Sequence, residues 1–112
     1  MGAWRMKIVH YEDVEADEAE GGSQLKIRFL NTEGSATFAV RHCEFEPGGC
    51  SPSHSHSWEH EMFVLEGQGV VVGDNETRVI VAGSAISIPA GEKHQVRNTS
   101  EKTLRLLCMI LK

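Results

Sequence analysis

Apolar and polar residues alternate in short runs along most of this chain. Leu25, Ile27 and Phe29 are separated by Lys26 and Arg28. That period of two predicts a half-buried strand over Leu25–Leu30. Asn31–Ser35, with Gly34, reads as a turn, and Thr37–Glu46 as the next strand, closed by Pro47-Gly48-Gly49. Further strands are expected over Glu61–Glu66, Val70–Val72, Thr77–Val81, Ala85–Ile88, His94–Arg97 and Leu104–Leu111, separated by turns rich in Gly and Pro. Met6–Val9 reads as a short first strand, and Glu12–Glu20, strongly acidic, as a solvated surface loop. Many short strands without sustained helical spacing predict an all-β sandwich or barrel. We expect one domain, with residues 1–24 as an N-terminal strand and acidic loop and 25–112 as the barrel.

Two strands break the alternation. Leu104–Leu111 is apolar on both faces, and so is Met62–Leu65. A wall that met water would alternate more clearly. This predicts an outer wall covered by another subunit or by the N-terminal strand, with a homodimer, the commonest symmetric assembly, preferred.

Composition removes several classes of function. Lys and Arg total 11 against 16 Asp and Glu, a net charge of −5, which opposes binding to a phosphate backbone. Nucleic acid is therefore not an expected partner. No run approaches the roughly 18 apolar residues of a membrane span. The opening Met-Gly-Ala-Trp-Arg-Met-Lys-Ile lacks the apolar core of a signal peptide. A cytoplasmic protein with no membrane partner is expected. Three cysteines, Cys43, Cys50 and Cys108, with no C-x-x-C pair, exclude a disulfide framework and a thiolate zinc site as the main reading.

The histidines change the picture. The segment His54-Ser55-His56-Ser57-Trp58-Glu59-His60-Glu61 places His54 and His56 two residues apart, so on a strand they share a face. His60 has the same parity. His94 follows Pro89-Ala90-Gly91-Glu92-Lys93, a tight turn that launches a strand. Imidazoles from two distant stretches have the chemistry to meet on one divalent transition metal; neutral imidazole suits Zn, Fe, Ni, Cu and, with oxygen ligands, Mn. Glu61 is an alternative ligand to His60. Its strand parity is opposite, so both would point inward only across a bulge. Glu59 and Glu61 are candidates to hydrogen-bond the ligand imidazoles.

These residues resemble the two motifs of the cupin superfamily. Gly48, His54, His56 and Gly67 match the first, G-x5-H-x-H-x(3,4)-E-x6-G, with His60 where the pattern has Glu. Gly83, Pro89, Gly91, His94 and Asn98 match the second, G-x5-P-x-G-x2-H-x3-N, at every position. The resemblance spans about half the chain. It is closest to small single-domain prokaryotic cupins of the cupin 2 type with four-histidine sites. It implies a double-stranded β-helix, a jelly-roll-like barrel, with His54, His56, His60 and His94 as ligands of one metal per chain. Manganese or iron is the implied metal, with zinc, nickel or copper as alternatives.

Around that site the resemblance turns the strand before Pro47 toward the cavity, so Arg41 becomes a candidate to bind an anionic substrate. Cys108, in phase with Leu106 and Ile110, reads either as a thiol near the metal, open to oxidation, or as a small core residue. Met62, Val96, Leu106 and Ile110 are expected to line the cavity and exclude water. His42 is expected to face away from it, and His10 to be an ordinary exposed residue. The leading functional expectation is a metal-dependent oxygenase of a small organic molecule, with the metal as Lewis acid and redox centre. The alternatives are a non-redox isomerase, epimerase or decarboxylase, or a non-catalytic module that binds a metal or small ligand.

Overall fold

The computed structural model describes residues 6–19, 21–31 and 37–111. Nine strands follow a short 3-10 turn at Tyr11–Asp13: β1 Asp17–Glu18, β2 Ser23–Phe29, β3 Phe38–Cys50, β4 His60–Glu66, β5 Gln68–Val72, β6 Thr77–Val81, β7 Ala85–Ile88, β8 Gln95–Arg97 and β9 Leu104–Leu111. They form one sheet in the order β6-β5-β8-β3-β9-β4-β7, with β2 also on β3 and β1 on β2. The domain is all-β, and its sheet curls so that β2, β3, β4, β8 and β9 enclose a common cavity. A second recess, of about 340 Å³, opens between the end strands β6 and β7.

Alternation decides which side of each strand is dry. In β4, His60, Met62 and Val64 are buried while Glu61, Phe63 and Leu65 are exposed. In β9, Leu104, Leu106 and Cys108 are buried. Phe45, Val64, Leu104 and Leu106 are the most deeply buried side chains of the core. The opposite faces carry an apolar outer wall. Phe63 lies opposite Leu107, Val40 opposite Met109, and Phe38 opposite Leu111. Phe38, Phe63, Leu65, Met109 and Leu111 are all exposed.

Three sequence expectations are corrected. Met6–Val9 forms no strand: no edge pairs with it, and Met6 and Ile8 are each 88% exposed. The segment is apolar enough for a strand, but the outer edge of β2 is taken by β1. The acidic stretch is not all loop, because Asp17–Glu18 pairs with Lys26 and Ile27. Finally, β3 does not stop at Glu46 but continues to Cys50. Leu25 lies opposite Phe45 and Ser23 opposite Cys50, so Pro47-Gly48-Gly49 forms an irregular bulge. A bulge tolerates the missing N–H of Pro47 and bends the strand. That bend carries β3 from its partner β9 to β8. The turn expected at Asn31–Ser35 lies mostly outside the described residues, but Asn31 closes its start. Its Nδ2 donates to Phe38 O at 2.9 Å and its Oδ1 accepts from Val40 N at 2.7 Å.

Asn98, the last position of the second motif, is a staple. It is buried, and its Nδ2 donates to Phe45 O and to Lys102 O at 3.0 and 2.7 Å. Its Oδ1 accepts from the N–H and hydroxyl of Ser100 at 3.0 and 2.8 Å. The amide thereby ties β3 to the turn before β9, with its own buried donor and acceptor satisfied.

Candidate metal centre

The loop after β3 and the loop before β8 are zipped together by main-chain bonds. His54 N donates to His94 O at 3.1 Å, His94 N to His54 O at 2.9 Å, and Gly91 N to His56 O at 2.7 Å. Gly91 adopts φ +83°, a left-handed turn that favours glycine. This scaffold brings one ring nitrogen from each of His54, His56 and His94 to within 4.8 Å of the others. The buried His94 ring stands edge-on to both His54 and His56.

Backbone carbonyls orient two of these rings. A carbonyl only accepts, so His94 Nδ1 donates to Glu92 O at 2.9 Å and His56 Nδ1 donates to Trp58 O at 3.2 Å. In the neutral rings both Nε2 atoms then keep a lone pair. His56 Nε2 is buried with no hydrogen-bond partner. A buried lone pair without a hydrogen-bond partner beside two other imidazoles fits a metal ligand. Burial, followed by the neighbouring imidazoles, lowers the His54 pKa, which keeps its ring neutral and available as a donor.

His60 is placed differently. Its Nε2 lies 3.0 Å from Arg41 Nη2, which only donates, so that nitrogen is the acceptor. Its Nδ1 then carries the proton and donates to His94 Nε2 at 3.3 Å. Burial first, then the Arg41 charge and the other imidazoles, push the His60 pKa down to about 3. The structure thus converges three of the four expected histidines, with the fourth against them but held by Arg41.

The remaining sequence candidates separate cleanly. Glu61 is on the outer face, where it accepts from Ser87 Oγ at 2.7 Å, so it is no alternative to His60 and orients no ligand imidazole. Glu59 is exposed. His42 is buried but turned away from the cavity, stacked on Tyr11 at 4.4 Å. His10 is exposed and its Nδ1 caps the 3-10 turn by accepting from Glu12 N at 3.2 Å. Cys108 is a buried member of the core cluster and also lines the cavity. The cavity is about 310 Å³, and Met62, Val96, Leu106 and Ile110 are all in its wall. Sequence reasoning missed Leu25, Ile27 and Trp58 there. Trp58 stacks on His56 with ring centroids 4.5 Å apart and planes 3° from parallel. Its only signal was an aromatic residue inside the histidine segment.

The family described as "Cupin domain" matches residues 41–110. The chain is a cupin. Among solved structures, the polyketide cyclase RemF from Streptomyces resistomycificus is 34% identical, with a TM-score of 0.87 over 96% of this chain and 80% of that one. Among curated relatives, auxin-binding protein 1 of Arabidopsis thaliana is 36% identical over 98 residues, covering 75% of this chain and 50% of that protein. Polyketide synthase CurC of Streptomyces cyaneus is 25% identical, covering 96% of this chain and 70% of that protein. This cupin therefore spans about half the length of the auxin-binding protein that it matches. No helix among its described residues is long and apolar enough to cross a membrane.

Proposed function

We propose that this cupin is a metal-dependent enzyme that closes a ring in a small polycarbonyl molecule. The observation that carries the reading is the convergence of His54, His56 and His94, with the orphaned His56 Nε2, on the wall of a mostly apolar cavity. A divalent ion held there by these three residues would supply Lewis-acid polarisation of a carbonyl oxygen, and His60 would join as a fourth donor only by releasing its Nε2 from Arg41. The chain supplies the rest. Met62, Val96, Leu106 and Ile110 exclude water, and Trp58 with His56 offers a flat aromatic surface at the loop. No carboxylate lines the cavity among the described residues. That favours chemistry on an already acidic substrate carbon over chemistry that needs a strong protein base. Similarity to a polyketide cyclase along nearly the whole chain supports the same choice.

The second reading is the oxygenase expected from the sequence. It is favoured by the all-imidazole donor set, which suits redox-active manganese or iron as well as zinc. One experiment separates the two. The zinc-loaded protein, kept anaerobic, is given a linear poly-β-ketone and followed by ultraviolet absorbance. Ring formation with zinc and without oxygen is the expected result. Turnover only with manganese or iron and with oxygen uptake would select the oxygenase instead. Absence of both activities, with less than one ion bound per chain, would remove both enzymatic readings.

We also propose that a second copy of the chain covers the outer wall. The exposed apolar side chains of β3, β4 and β9 lie side by side across hydrogen-bonded ladders. A contiguous apolar patch of this kind marks an interaction surface, and a single patch pairs with itself about a two-fold axis. In sedimentation at micromolar concentration the wild type is expected as a dimer and Phe63→Glu/Met109→Glu as a monomer. A monomeric wild type would refute this.

A further inference from the structure

Among the partly buried arginines of the described residues, Arg28, Arg41 and Arg105, Arg41 is singular. Arg28 and Arg105 share the Glu44 carboxylate, with Arg28 Nη1 at 3.3 Å and Arg105 Nε at 3.8 Å from Oε1, and Arg105 also reaches Glu66. Arg41 has no ion pair among the described residues. It lies on the inward face of β3, directly opposite Cys108 on β9, and its guanidinium lines the cavity. Nη2 donates to His60 Nε2 at 3.0 Å and to Cys108 Sγ at 3.1 Å. Nε is buried and has no partner. The Phe29 ring, 6.0 Å away, covers the guanidinium without neutralising it.

Neither partner is a counter-ion. His60 is a neutral acceptor, as its contacts require. Burial raises the Cys108 pKa above the ordinary thiol value, so Cys108 is a neutral thiol at neutral pH. A half-buried cation without an anion is costly, and the cost is offset when a ligand brings the missing charge. Guanidinium in particular fits planar oxyanions, to which it donates two parallel hydrogen bonds. Leu25, Ile27, Val96 and Ile110 form an apolar wall, so Arg41 is the charged side chain that lines the cavity.

We propose that Arg41 is the specificity-determining residue of this cavity, selecting ligands that carry a planar oxyanion, a carboxylate or an enolised 1,3-dicarbonyl, on an apolar body. The inference rests on the metal-site reading and adds the charge and shape of the substrate. Arg41 holds the oxyanion, and the remainder of the molecule occupies the apolar wall.

Two kinds of measurement keep the two readings distinguishable. Elemental analysis and chelator competition give zinc stoichiometry and affinity for wild type, Arg41→Lys and Arg41→Met. Calorimetry of each zinc-loaded protein then measures binding of benzoate, benzoylacetone and neutral benzamide. For the wild type, at least one of the two acidic probes is expected to bind about tenfold or more tighter than benzamide, and which one does so identifies the oxyanion. Arg41→Met is expected to lose about 30-fold or more of that affinity while benzamide binding changes less than about twofold. Those losses correspond to removal of a charge-assisted hydrogen-bonded pair. Arg41→Lys keeps the charge without the planar fork and is expected to fall between them. It also carries the test if the methionine variant does not fold. Equal affinity for all three probes, or acidic-probe binding unchanged in both variants, would overturn the assignment. Failure of the wild type to bind one zinc ion per chain would instead strike the metal-site reading on which it rests.

Discussion

His94→Ala is expected to weaken zinc binding by more than about 100-fold, since even loss of a residue that only orients a ligand costs about 10–100-fold. His94 sits at the junction of the site. Its Nδ1 is fixed by the Glu92 carbonyl, and its Nε2 lies within reach of His54, His56 and His60. No neighbouring group replaces it, because Glu61 faces outward. The loop should survive the change, since the His54–His94 bridge is made by main-chain atoms. His60→Ala is expected to cost less, about tenfold, because His60 Nε2 is engaged by Arg41 and three imidazoles remain. Competition against a chromophoric chelator measures both. Equal affinity for His94→Ala and wild type would remove the site, and a His60→Ala loss as large as that of His94→Ala would make His60 an equal ligand.

Gly67→Ala is expected to destabilise the fold by about 3–5 kcal/mol, lowering Tm by roughly 10–20 °C. Gly67 has φ +90°, and a Cβ there would clash with the Thr103 carbonyl oxygen and stand 3.0 Å from Leu104 Cα. The clash is with backbone, beside the fully buried Leu104, so it is not relieved by a side-chain rotation. Gly83 provides the control. Its φ is +94°, yet a Cβ there meets nothing within 4 Å. Gly83→Ala is therefore expected to cost only the left-handed strain, about 1–2 kcal/mol. Thermal denaturation of the two variants separates conformation from close approach, and equal losses would assign the whole effect to conformation.

How far the sequence carried these conclusions depends on how local each cause is. Strands β6, β7 and β9 have the bounds expected from the sequence, because flanking turn residues mark where each strand stops. The inward set of β4 followed from strand parity, whereas Glu61 stayed open as an alternative ligand until the structure placed it on the outer face. The resemblance to the cupin motifs named His54, His56, His60 and His94, of which the structure brings His54, His56 and His94 into one group. The unpaired Met6–Val9 and the continuation of β3 through Pro47 were not legible. A strand exists only if a neighbouring edge is free, and a bulge depends on which partner lies across it.

Within the site, the groups that orient His56 and His94 are the carbonyls of Trp58 and Glu92, which every residue possesses and no side-chain pattern reveals. The position of His60 against Arg41 and the bond from Arg41 to Cys108 join strands 19 and 67 residues apart. Local order in the chain thus determined the all-β class and the strand phases, because these need only periodicity and turn chemistry, and the resemblance to the cupin motifs named the histidines. Tertiary structure alone decided which imidazole nitrogens are free, which carbonyls hold them and which cation lacks an anion, because each depends on pairing between distant strands.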